Sequence, residues 1–195
     1  MKPIRTFVAV EVWPEIRERA RWLIRQFEGT SAQVRWTDTA QLHLTMNFLG
    51  DVSARDIPAV CQNVSQVTSQ FAPFDVEIAN VGVFPSYTNP RTIWIGVGDG
   101  SDQLVKLYEA LADNLIELGF RPEGRRFRPH LTIGRVRAMP DGPDDLVERL
   151  QQHAEFEAGP MMISEVTVFS SEMQRTGPVY EVLGHADLAA PKESS

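Results

Sequence analysis

The tripeptide His-Leu-Thr occurs twice in this chain, at His43-Leu44-Thr45 and at His130-Leu131-Thr132. In an extended strand alternate side chains share a face. His43, Thr45 and Asn47 then point one way and Leu42, Leu44, Met46 and Phe48 the other. In the second copy His130 and Thr132 share one face, Leu131 and Ile133 the other. Each unit offers an imidazole and a hydroxyl from a strand whose opposite face is apolar. Imidazole, with an ordinary pKa near 6.5, can act as acid or base around neutrality. A hydroxyl can donate to an oxygen on which charge builds up. Two such units facing one small space suit general acid–base chemistry at an oxygen-rich centre such as phosphate. A lone strand histidine is more often structural, but the chain has 4 histidines and two of them fall in this one tripeptide. His153, at a helix end, and His185, near the last strand, lack such a context and are expected to be structural or on the surface.

Charge narrows the partner. The net charge of −7 opposes broad binding along a nucleic-acid backbone. Yet Arg125, Arg126, Arg128, Arg135 and Arg137 bracket the second tripeptide, and such a cluster suits a phosphate or an RNA end. Strict alternation places Arg135 opposite His130, so a role at the site requires a strand end or a bulge at Gly134. Phe48, Phe84 and Tyr87 are candidates to stack on a base, although Phe48 shares the apolar face and core packing is its expected fate. Neither motif supplies a second ligand beside its histidine, so no metal site is expected. Asp38 reads as turn chemistry. No phosphate-binding glycine loop is present, and no cofactor is expected.

The elements that must hold these residues read as follows. Thr6–Val12 is a buried strand. Pro14 opens a helix with Ile16, Ala20, Leu23, Ile24 and Phe27 inward, ended by Gly29. Val34–Trp36 and the first motif are strands, the latter closed by Gly50. Ser53 with Asp56 suggests a capping box for a helix facing inward through Ile57, Val60, Cys61, Val64 and Val67. Phe74–Val83 and Thr92–Val97 are strands around a turn-rich loop, Phe84–Arg91. Ser101 begins a helix with Leu104, Tyr108, Leu111, Leu115 and Leu118 inward and Gly119 at its end. Gly142-Pro143-Asp144-Asp145 opens a short helix to Gln152, and Ile163–Phe169 and Val179–Leu183 are the final strands. The single cysteine, Cys61, excludes an internal disulfide, no apolar run reaches membrane-span length, and a cytoplasmic monomer is expected. At 195 residues the pattern is α+β. It is expected to form one bilobed domain over residues 1–186, with a disordered tail at 187–195.

With these residues in place, the chain resembles the two-histidine phosphoesterase superfamily, and within it the bacterial and archaeal RNA 2′,3′-cyclic phosphodiesterases of the 2′-5′ RNA ligase family. The likeness extends beyond the paired motifs. Arg5–Glu11 is similar to the family's opening strand and Trp36–Asp51 to its first motif block. Gly82–Pro85 with Pro90-Arg91 is similar to its central hairpin, Phe127–Val136 to its second motif block, and Thr176–Tyr180 to its last strand.

The resemblance implies two antiparallel sheets forming a V-shaped central cleft with helices outside. It implies metal-free hydrolysis of an RNA-terminal 2′,3′-cyclic phosphate, or of a nucleotide carrying one, to a 2′-phosphomonoester. His43 matches the family's proton donor and His130 its acceptor. Thr45 and Thr132 match the residues that hold phosphate oxygens, and Arg135 a substrate-contacting arginine; Arg128 and Phe84 are further substrate-binding candidates. Two alternatives stay open. Joining of RNA ends through a 2′-5′ linkage is the same chemistry with a 5′-hydroxyl in place of water, and a non-catalytic module binding nucleotides or RNA ends would need only the cleft.

Overall fold

Nine strands and four α-helices alternate along the chain in a computed structural model that describes residues 3–121, 126–140, 145–175 and 177–189. Arg125, Gly142, Pro143, Asp144, Thr176 and the tail from 190 lie outside the described residues. Strands β1 (Ile4–Glu11), β2 (Gln33–Trp36), β3 (His43–Val52), β4 (Phe74–Ser86) and β5 (Asn89–Val97) are followed by β6 (His130–Ala138), β7 (Glu157–Ile163), β8 (Glu165–Gln174) and β9 (Gly177–Asp187). The helices are α1 (Pro14–Phe27), α2 (Ile57–Thr68), α3 (Ser101–Glu117) and α4 (Asp145–Gln152).

The expected pair of sheets is joined into one curled antiparallel sheet, in the order β7-β4-β5-β6-β3-β1-β8-β9 with β2 on β6. The junction between β3 and β6 is narrow: Leu44 stands opposite Leu131. Both leucines are fully buried and belong to one core cluster to which all four helices contribute. Burial of each such side chain contributes about 2–3 kcal/mol. The helices therefore cover the leucine face of both motif strands, and the histidine face is the other one.

The α1 stripe reads directly: Pro14 occupies the first turn, where its missing N–H costs no hydrogen bond, and Ile16, Ala20, Leu23, Ile24 and Phe27 are buried. Elsewhere the structure departs from the sequence reading. The capping box at α2 is not formed; Asp56 makes no side-chain cap, and its N–H donates to the Ser53 carbonyl. Cys61 is half-buried against the core, and burial raises its thiol pKa. On α3 the inward residues are Leu104, Leu107, Leu111, Ala112 and Leu115, while Leu118 is exposed beyond the helix end. The Phe84–Arg91 segment is mostly strand, because β4 and β5 stay paired out to Ser86 opposite Asn89. The strand β7 has no counterpart in the sequence reading. It pairs with β4 at the sheet edge and carries Gly159 and Pro160, residues that obscure a strand pattern. The last strand runs to Asp187, and Leu188 is buried with its N–H on the Ser164 carbonyl.

Candidate active site

The two motifs meet at the Leu44–Leu131 junction. Continuing that antiparallel register by one residue each way sets His43 against Thr132 and Thr45 against His130, all four on the face away from the helices. Each imidazole is tied in the same manner. His43 Nδ1 donates to the Gln41 carbonyl at 2.8 Å, and His130 Nδ1 donates to the Arg128 carbonyl at 2.7 Å. A carbonyl only accepts, so the proton is fixed on Nδ1 and Nε2 is left for chemistry. Both bonds reach back two residues along the chain, a backbone arrangement that leaves no trace in residue type.

Two bulges decide which further side chains share this face. Between β5 and β6, Trp94 pairs with Thr132 but Ile93 with Gly134, so Ile133 is skipped. The phase reverses there, and Arg135 comes to the face of His130 and Thr132. Between β1 and β3, Ala9 pairs with Thr45 but Val8 with Asn47, so Met46 is skipped. Asn47 then turns toward the core, and Phe48 turns to the histidine face opposite Phe7, half exposed with the two rings 6.0 Å apart. Strict alternation places both residues the other way. It takes no account of an inserted residue, and each insertion reverses every side chain beyond it.

Aromatic rings surround both imidazoles. Phe7, Ala9 and Phe169 form a small cluster of their own with Tyr180 packed against it. The His43 ring lies 5.0 Å from Phe7 and meets Tyr180 edge-on at 5.3 Å. Phe84 meets the His130 ring edge-on at 5.1 Å and lies 5.1 Å from Trp94. Trp94 lies against Gly82; a Cβ there would stand 2.3 Å from the indole. Burial lowers both histidine pKa values, and the backbone hydrogen bonds oppose that only in part. The charge of His130 lowers His43 further, and that of Arg135 lowers His130. The same Arg135 charge reaches Tyr180, whose hydroxyl is nonetheless raised by burial.

Not every candidate gathers here. Arg128 acts on His130 through its carbonyl, and the residue lines a cavity of about 590 Å³ with Trp94, Tyr108, Arg126 and Phe127. Tyr87 packs against the main core. His153 donates to the Arg149 carbonyl and sits edge-on to Phe27, a structural role. His185 pairs with Glu165 at 2.8 Å. Phe7, Phe169, Tyr180 and Trp94 carry no signal in the sequence pattern, since only the sheet order sets β8 beside β1, β9 beside β8, and β5 beside β6. Among the described residues no group of three or more His, Cys, Asp or Glu could hold a metal ion. No helix among them is long and apolar enough to cross a membrane.

A curled α+β sheet with two His-Leu-Thr strands meeting at its centre is the arrangement of a two-histidine phosphoesterase. The chain belongs to the 2′-5′ RNA ligase superfamily, whose model matches residues 6–175. It is 32% identical over 180 residues to the RNA 2′,3′-cyclic phosphodiesterase of Thermotoga maritima, covering 92% of this chain and 93% of that one. It is 32% identical over 177 residues to the protein of that name from Methanothermobacter thermautotrophicus, covering 91% and 95%. Among solved structures, TT0787 of Thermus thermophilus superposes with a TM-score of 0.79 at 24% identity, covering 95% of this chain and 98% of that one. Escherichia coli LigT complexed with 3′-AMP superposes at 0.77 and 24% identity, covering 96% and 99%. These two likenesses concern the fold.

Proposed function

We propose that this chain opens 2′,3′-cyclic phosphates at RNA ends, or on nucleotides, to 2′-phosphomonoesters without a metal. The observation that carries this reading is the matched tether of the two imidazoles. Each holds its proton on Nδ1 and keeps Nε2 for a shared space, and the charge of one is felt at the other. The relatives named RNA 2′,3′-cyclic phosphodiesterase support it. In this reading the chain is one domain of two lobes, and the space between them is a V-shaped cleft open to solvent.

Water attacks phosphorus in line with the ribose 3′-oxygen. His130 Nε2 takes the proton from water as the new P–O bond forms. His43, entering as the imidazolium with a second proton on Nε2, gives that proton to the 3′-oxygen as the old P–O bond breaks, leaving phosphate on the 2′-oxygen. Thr45 and Thr132 donate to the non-bridging oxygens, and Arg135 offsets their growing charge. Phe48 and Phe84 flank the nucleoside. A 5′-hydroxyl in place of water gives a 2′-5′ joined product through the same atoms.

The test is incubation with a panel of 2′,3′-cyclic nucleotides and cyclic-phosphate-ended oligonucleotides, with and without EDTA. The expected product is the 2′-phosphomonoester at equal rates in both conditions. Loss of turnover in EDTA that added divalent metal restores, or a 3′-phosphate product, would overturn the mechanism.

A further inference from the structure

The two imidazoles share a tether but not their surroundings. Phe7 belongs to a four-ring cluster. Its ring stacks on Phe169 at 5.2 Å and 20°, lies 5.0 Å from His43 at 35°, and meets Tyr180 edge-on at 5.0 Å. The sheet register sets it there, because Phe7 stands opposite Phe169 on β8 and opposite Phe48 on β3. Phe7 and Phe169 are buried, and close packing holds both rings in place. Tyr180 completes the wall, at 5.3 Å and 87° from His43. Across the junction His130 has one such neighbour among the described rings, Phe84, at 83°.

This difference bears on where a proton sits. An aromatic ring carries negative charge on its face, and a cation within about 6 Å of the ring centre is attracted to it, most strongly where water is excluded. Phe7 lies nearer to parallel than to perpendicular with His43, so its face is turned to the imidazole, and Tyr180 lies within the same range. The charged groups sharpen the contrast. Burial is the largest influence on both imidazoles and lowers both pKa values. Beyond burial and the tethers, the Arg135 charge lowers His130, whereas the charge felt at His43 is that of His130 itself. Glu11 of β1 stands opposite His43 in the register, but its carboxylate lies 3.8 Å from the Arg17 guanidinium, which balances it. From β8 and β9 the groups that face His43 are Phe169 and Tyr180, and burial keeps the Tyr180 hydroxyl neutral. Rings thus favour an imidazolium at His43, and a cation opposes one at His130.

We propose that Phe7 and Tyr180 are positioning residues whose rings seat the single proton shared by the two imidazoles on His43, so that the free enzyme already holds His43 as acid and His130 as base. This rests on the reading of the histidine site given above. Two imidazoles with the same tether are in this way divided into two roles before substrate arrives.

The experiment measures kcat/KM on adenosine 2′,3′-cyclic phosphate from about pH 4 to 9 for the wild type, Phe7→Leu, Tyr180→Leu and Tyr180→Phe. Loss of a ring makes His43 a stronger acid. The alkaline limb of the bell is therefore expected to move toward acid, by about one pH unit in Phe7→Leu and about half a unit in Tyr180→Leu. The acid limb stays in place, and Tyr180→Phe, which keeps the ring, keeps the wild-type profile. Phe7 is buried, so the two Tyr180 variants carry the test if Phe7→Leu does not fold. An unmoved alkaline limb in Tyr180→Leu, or movement of the acid limb in its place, would overturn the proposal, the latter because it puts the shared proton on His130.

A second measurement needs no turnover. In denaturant titrations the loss of midpoint in Tyr180→Leu relative to Tyr180→Phe is expected to be larger at about pH 5 than at about pH 8, where His43 is neutral. That excess should vanish in a His43→Gln background, because no imidazolium is left for the ring to favour. If the wild type opens no cyclic phosphate, the reading of the histidine site fails, and the titrations alone decide the role of the rings. An equal loss at both pH values, or an excess that persists in His43→Gln, would end it.

Discussion

Leu44 and Leu131 face each other across β3 and β6 as the residue pair that joins the two halves of the sheet. Both are fully buried, and each is flanked by the histidine and threonine of its own motif. The alignment of the two imidazoles therefore depends on an apolar contact on the far side of the sheet. Leu131→Ala is expected to lower the unfolding free energy by about 2–5 kcal/mol, measured by denaturant titration. The double variant with Leu44→Ala should deviate from additivity, because the two positions share one site. Strictly additive losses would show that the junction does not couple the halves.

Replacement of either histidine tests the acid–base pair. His43→Ala and His130→Ala should each lower kcat by about 10²–10⁴ while the far-ultraviolet circular dichroism is retained. The double variant should be little worse than the poorer single one, since the two act as a unit. Single-turnover rates on a cyclic nucleotide provide the measurement, and a folded variant with near wild-type rates would remove that residue from the mechanism.

The depressed histidine pKa values set the sign of the pH dependence. Burial favours neutral imidazole in both, so the free enzyme loses its acid proton below the ordinary value of 6.5. The bell in kcat/KM is expected to peak on the acid side of 6.5. Bound phosphate favours imidazolium, so the bell in kcat should lie at higher pH, and both limbs belong to the coupled pair. Stability follows the same shifts. Around and below 6.5 the unfolded chain binds more protons than the folded one, so stability is lost as the pH falls, until the folded groups are themselves protonated. A kcat/KM optimum well above neutrality would contradict the buried, neutral imidazoles.

Gly82 is expected to tolerate no side chain. A Cβ there runs into the Trp94 ring, which in turn holds Phe84 against His130. Gly82→Val should lower kcat/KM and reduce thermal stability together, whereas Gly119→Ala, with open space around its Cβ, should cost stability but leave turnover unchanged. Full activity in Gly82→Val would detach Trp94 from the site.

The placement of this candidate site is legible in the sequence where it rests on residue type and period. His43, Thr45, His130 and Thr132 are readable because a motif repeated on two alternating strands is improbable as packing. The α1 stripe is readable because Pro14 and Gly29 bound an uninterrupted helical period. What escapes depends on counting rather than kind. A bulge inserts a residue without changing composition, so alternation assigns Phe48 and Asn47 to the wrong faces, and it places Arg135 with His130 only if an irregularity at Gly134 is allowed for. The aromatic surround of His43 escapes for another reason. Phe7, Phe169 and Tyr180 come from three strands whose adjacency follows from sheet order, which no local pattern encodes. The edge strand β7 is hidden by Gly159 and Pro160, residues an edge accommodates and a central strand does not.

The unequal aromatic surround has a spectroscopic consequence. The His43 ring lies near Phe7, Tyr180 and, at 6.4 Å, Phe169, whereas among the described rings only the edge of Phe84 is paired with His130. Ring currents from three neighbours displace the carbon-bound imidazole protons of His43 by a different amount from those of His130. Two imidazoles that are chemically alike in their tethers thus resonate at separate frequencies, and each protonation can be followed on its own signal in the intact protein.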